Sequence, residues 1–75
     1  FPNPAAEQIT LQIPETVQGH LGAIVYDMAG RLLLNSTIFP GNNTISVKPL
    51  PKGMYILTVN SEGISIASSR LVVID

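Results

Sequence analysis

The chain has 75 residues, with four Lys or Arg, five Asp or Glu, no Cys and a net charge of −1. That length suits one small domain, and the missing cysteine excludes disulfide staples, thiolate chemistry and cysteine-based metal sites. Four basic residues spread along the chain leave no electrostatic footprint for nucleic acid or an anionic membrane. Only 12% of residues are charged, against roughly 25% in a typical soluble domain, while 45% are hydrophobic. Disorder is therefore excluded, and the charges are too few to cover the surface.

The chain begins at Phe1, which points to a processed product or a piece of a longer precursor. No signal-peptide pattern is present, and no apolar run approaches the ~20 residues of a membrane span. Phe1-Pro2-Asn3-Pro4 reads as a rigid, extended lead-in, because proline fixes its own φ and restricts the residue before it. From Gln8 to Ile13, apolar and polar residues alternate, which predicts a half-buried strand. Pro14 ends it, and 15–22 reads as a polar connection. Ala23 to Met28 is a second strand, Met28-Ala29-Gly30-Arg31 a tight turn, and Arg31 to Phe39 the returning strand of a hairpin. Pro40-Gly41-Asn42-Asn43 carries a strong turn signal. Thr44 to Val47 alternates again, and Pro49 to Gly53 is a second rigid loop. Met54 to Val59 is a strand and Asn60-Ser61-Glu62-Gly63 a hairpin turn. Ile64 to Ile74 returns, with a break expected near Ala67-Ser68-Ser69. Short strands with turns between them and no helical period predict an all-β, Ig-like antiparallel sandwich of about seven strands in one domain, 1–75.

Catalytic chemistry has little to build on. His20 is the lone histidine, in a predicted loop, with no nucleophile elbow to serve. One imidazole is too few for zinc. Glu7, Glu15, Asp27, Glu62 and Asp75 form no local pair of the kind glycosidases use. Asp27 is placed to accept turn N–H groups or to pair with Arg31. Asn35-Ser36-Thr37 and Asn42-Asn43-Thr44 match the short N-glycosylation pattern. One or both of Tyr26 and Tyr55 read as core aromatics with hydroxyls reaching a loop backbone, the alternative being a stacking platform for a sugar or base. No cofactor and no metal are expected. One feature is unusual: Leu32 to Leu34, Met54 to Val59 and Leu71 to Ile74 are apolar on both faces, where a sandwich strand wets one. Either loops cover the outer residues or they form an exposed apolar patch for a partner, and Leu71 to Ile74 has the character of an edge strand open to augmentation or dimerisation.

Four blocks in order carry a resemblance: Phe1-Pro2-Asn3-Pro4-Ala5, Val25-Tyr26-Asp27-Met28-Ala29-Gly30-Arg31, Leu50-Pro51-Lys52-Gly53-Met54-Tyr55, and Arg70-Leu71-Val72-Val73. Together they resemble the C-terminal sorting domain of the type IX (Por) secretion system, nearly end to end. The resemblance implies an Ig-like sandwich that acts as a signal rather than an enzyme. It implies a Bacteroidota precursor exported by an N-terminal signal peptide and then carried from the periplasm across the outer membrane. The partners implied are the translocon, outer-membrane shuttle and sortase-like proteins, and an N-terminal cargo domain on the same precursor. The domain would be cleaved off as the cargo becomes attached to the cell surface or released. On this reading Arg70, Leu71, Val72, Val73, Ile74 and Arg31 are the recognition residues. Pro2, Asn3, Pro4, Asp27, Gly30, Gly53 and Tyr55 are structural residues of the motifs. Phe1 stands where the family more often has Tyr, and Ser68-Ser69-Arg70 offers one cation where it often has lysines. The second reading is a fibronectin- or Ig-like carbohydrate-binding or accessory module of a secreted enzyme.

Overall fold

A computed structural model describes residues 7–74. It contains six strands: β1 (Gln8–Ile13), β2 (Leu21–Asp27), β3 (Leu32–Ile38), β4 (Gly41–Ser46), β5 (Gly53–Ser61) and β6 (Ile64–Val73). All pairings are antiparallel. One sheet has the order β3-β2-β5-β6, and the other is the pair β1-β4. The expected all-β sandwich is present, with six strands rather than about seven.

Alternation decides the packing. Ile9, Leu11 and Ile13 of β1 and Ile45 of β4 point inward from the small sheet. Leu21, Ala23 and Val25 of β2, Tyr55, Leu57 and Val59 of β5, and Leu71 and Val73 of β6 answer from the large one. Among the described residues the buried core is wholly hydrophobic, and removal of this apolar surface from water drives the two sheets together.

The irregularities are local. Leu33 is the extra residue between Leu32, opposite Tyr26, and Leu34, opposite Val25. Ile66 is another, between Ser65, opposite Asn60, and Ala67, opposite Val59. Each is a β-bulge, which adds a residue without ending the strand. This is why the break expected at Ala67-Ser68-Ser69 does not occur: β6 runs unbroken through ten residues.

Three boundaries also differ from expectation. Leu21 and Gly22 belong to β2, because Leu21 is already a core residue. Gly41, Asn42 and Asn43 open β4 instead of forming a turn. There Asn43 binds the corner with its own amide: Nδ2 donates to the Phe39 carbonyl at 2.6 Å, and Oδ1 accepts from the Phe39 N–H at 2.9 Å. Asn60 and Ser61 extend β5, so the hairpin turn shrinks to Glu62-Gly63, with φ of +51° and +80°. Two consecutive positive φ values are the geometry of a two-residue hairpin loop. Glutamate is an unusual occupant of that conformation, and its contacts give a reason. Its carboxylate accepts the His20 N–H at 2.9 Å, and its own N–H donates to the His20 carbonyl at 2.9 Å. Ser61 Oγ adds a bond to the Gln18 carbonyl at 2.9 Å. The loop before β2 is thereby fastened to the β5–β6 turn.

Candidate docking pole

Because successive strands run in opposite directions, their connections alternate between two poles. One pole holds the β2–β3 turn, the β4–β5 loop and the end of β6. The register sets Asp27 opposite Tyr55, Tyr55 opposite Leu71, and Gly53 opposite Val73. Three of the four motif blocks, spread from Val25 to Val73 in the sequence, therefore meet at one end. The fourth, with Pro2, Asn3 and Pro4, lies outside the described residues.

The β2–β3 turn is built around Asp27. Its Oδ1 accepts the backbone N–H groups of Ala29 and Arg31, both at 2.9 Å, and its Oδ2 accepts Arg31 Nε–H at 2.7 Å. Gly30 closes the turn at φ +89°. No heavy atom would approach a Cβ there within 4 Å, so the backbone conformation, not space, calls for glycine. The Arg31 N–H, with its guanidinium and the Ala29 N–H, holds the Asp27 carboxyl below its ordinary pKa, and together they outweigh desolvation, the second-largest influence, which acts upward. A depressed folded-state pKa stabilises the fold at pH values above the unfolded-state pKa, and this contribution is lost as pH falls through the folded value. Asp27→Asn should therefore lower the urea midpoint at pH 7, and its difference from the parent chain should shrink below about pH 4. An equal difference at pH 7 and pH 3 would show that the carboxylate charge plays no part.

Tyr55 is a buried core aromatic whose hydroxyl donates to the Pro51 carbonyl, pinning the β4–β5 loop to its own strand. Tyr26, the other tyrosine, is half-buried on the outer face of the large sheet instead. Phe39 is exposed at the opposite pole. The described aromatics thus form no shared stacking platform. The hollow of about 530 Å³ between β1 and β6, lined by Leu11, Ile13, Val59, Ile66 and Ala67 among others, has no aromatic wall. Neither observation favours a carbohydrate-binding reading. Among the described residues no three His, Asp or Glu side chains gather to hold a metal.

The terminal segment divides by face. Leu71 is 0% and Val73 4% exposed, both in the core. They cannot touch a partner of the folded domain as the sequence suggests. Arg70 and Ile74 are exposed, and Val72 is half-buried on the outer face. Arg31 is exposed while bonded to Asp27.

Two features of this pole escape sequence reading. The four basic residues, dispersed in sequence, gather here: Arg31 in the turn, Lys48 and Lys52 in the β4–β5 loop, Arg70 late in β6. Two described carboxylates accompany them, Asp27 on Arg31 and Glu7 at 3.9 Å from Lys48. Glu15 and Glu62 lie at the other pole. Assigning each cation to a strand end in an up-and-down topology would have revealed this.

The second feature is a contrast between the two outer faces. The small sheet shows the solvent only polar residues: Gln8, Thr10 and Gln12 from β1, Asn42, Thr44 and Ser46 from β4. The large sheet shows a row formed by Leu32, Tyr26, Ile56 and Arg70, flanked by Met54 and Val72 on one side and Ile24 on the other. Composition alone cannot make one face wet and the other apolar. The outer face of the large sheet is the more apolar of the two and borders the motif pole, while Phe39, Ile64 and Ile66 are exposed toward the other pole.

The comparisons agree with this picture. Residues 1–74 match the family described as the secretion system C-terminal sorting domain. No curated protein and no solved structure matches. The matched span takes in all four motif blocks, and the chain belongs to the family of type IX secretion C-terminal sorting domains.

Proposed function

We propose that residues 1–75 act as one sorting unit that the type IX machinery reads while the domain is folded. Membership in the family makes the chain a secretion signal of a noncatalytic kind, implying contact with that machinery and a cargo on the same precursor. It also implies export to the cell surface or beyond. The finer steps form a sequence. The precursor crosses the periplasm, the folded domain is recognised, and a sortase-like peptidase removes it as the cargo is attached or released.

The observation that carries this reading is the convergence of three motif blocks at one pole. Burial of Leu71 and Val73 narrows the contact residues of the terminal segment to Arg70, Val72 and Ile74, with Arg31 beside them. It also changes the test, since deleting the segment would strip the core as well as the signal. Arg70→Glu and Ile74→Asp alter exposed positions only. In cells carrying the precursor, each should leave most of the cargo cell-associated and uncleaved, while thermal melts of the purified precursor stay within a few degrees of the parent. Normal release of cargo from both variants would sink the proposal.

A further inference from the structure

We infer that the docking surface extends beyond the terminal strand. It combines the basic pole with the apolar outer face of the large sheet, and it fits a folded protein whose contact patch is apolar at the centre and acidic at the rim. This rests on the sorting reading and names the chemistry of its partner.

The apolar face is continuous with the proposed contact residues. Met54 pairs with Val72, and Ile56 with Arg70, so the end of β6 merges across the register into Ile56, Tyr26 and Leu32. Leu32 is 53% and Met54 44% exposed. An apolar patch rimmed by polar groups offers a surface on which a partner's apolar residues can be buried.

Area and charge choose the occupant. Strand spacing of about 4.8 Å and a repeat of about 6.8 Å between outward residues give the six apolar positions of the face a footprint of about 200 Å². Two copies packed through it would bury about 400 Å², well short of the roughly 1,200 Å² at which stable interfaces begin. A second copy packed with the poles together would set its four cations against these four, and one packed with the poles apart would leave the basic pole without a partner surface. A heterologous protein with carboxylates at its rim meets the pole with opposite charge and the face with apolar surface. It binds weakly enough to let go, as a transport signal requires.

The test uses the full precursor in secreting cells. Leu32→Lys with Met54→Lys places charge on the apolar face at exposed positions, and Lys48→Glu with Lys52→Glu reverses the basic loop. Each pair should cut released cargo at least fivefold, whereas Thr10→Lys with Thr44→Lys on the polar face should leave release unchanged. Normal release from the first two pairs, with Arg70→Glu still retained, would confine docking to the terminal strand and overturn this inference while leaving the sorting reading intact. Normal release from all variants, Arg70→Glu and Ile74→Asp included, would overturn both. Two further results would name the wrong occupant and also overturn it. One is a precursor dimer in size-exclusion chromatography that Leu32→Lys abolishes. The other is binding of the purified precursor to phosphatidylglycerol vesicles that Lys52→Glu abolishes.

Discussion

Leu71→Ala is expected to destabilise the domain by about 3 kcal/mol, the usual range for a buried leucine being about 2–5 kcal/mol. Leu71 is fully enclosed, and its neighbours in the register, Tyr55 and beyond it Asp27, are held by their own hydrogen bonds and have little freedom to fill the cavity. A chain of this size holds about 4–11 kcal/mol of total stability, so the variant loses a large part of it. Thermal unfolding should shift down by about 15 °C, since 1 kcal/mol moves a small domain by about 4–8 °C. A shift of only a few degrees would mean that the terminal part of β6 is not integral to the core. The consequence for secretion experiments is direct. Loss of export after truncating or shaving this segment reports unfolding as readily as lost recognition, and only the exposed positions of the same strand separate the two.

Tyr55 gives the second large effect, and two substitutions divide it. Tyr55→Ala should cost about 4 kcal/mol, as removal of a buried aromatic ring does. Tyr55→Phe keeps the ring and deletes only the bond to the Pro51 carbonyl, for about 1 kcal/mol. Urea unfolding of the two variants and the parent chain measures both quantities. If Tyr55→Phe cost as much as Tyr55→Ala, the hydroxyl rather than the ring would hold the strand entry. If it cost nothing, the carbonyl would be equally satisfied by water. The expected ratio makes the ring the anchor of the core and the hydroxyl the tether of the Pro49–Gly53 loop.

Much of this fold was legible because its strands obey simple alternation. Ile9, Leu11 and Ile13, or Tyr55, Leu57 and Val59, identify a strand and its buried face without any knowledge of partners. The Asp27–Arg31 turn was legible because its interactions are local, spanning four residues. What failed depends on contacts distant in sequence or on side chains doing backbone work. Asn42 and Asn43 carry turn propensity, yet β1 pairs with them, and Asn43 uses its amide to bind the corner just behind it. Ser68 and Ser69 looked like a break, yet the ladder with Thr58 and Leu57 holds them in place. Apolar residues on both faces of the last strand suggested that Leu71 to Ile74 all contact a partner. Half of them, Leu71 and Val73, are needed for the core, a fact that only the position of the opposing sheet determines. The gathering of the cations belongs to topology and is invisible to any local window.

That gathering has a kinetic side. The molecule measures 34 Å along its longest dimension, about the length of a ten-residue strand, with cations at one end and Glu15 and Glu62 at the other. The Debye length at physiological ionic strength is about 8 Å, so an approaching surface senses the nearer end alone. An acidic receptor would draw the domain in with Arg31, Lys52 and Arg70 leading and would repel the end that carries Glu62. The distribution of the eight described charges would then act as an orienting torque during encounter. With such a receptor the association rate of the precursor should fall as salt rises, while the lifetime of a complex held by apolar contact should change little.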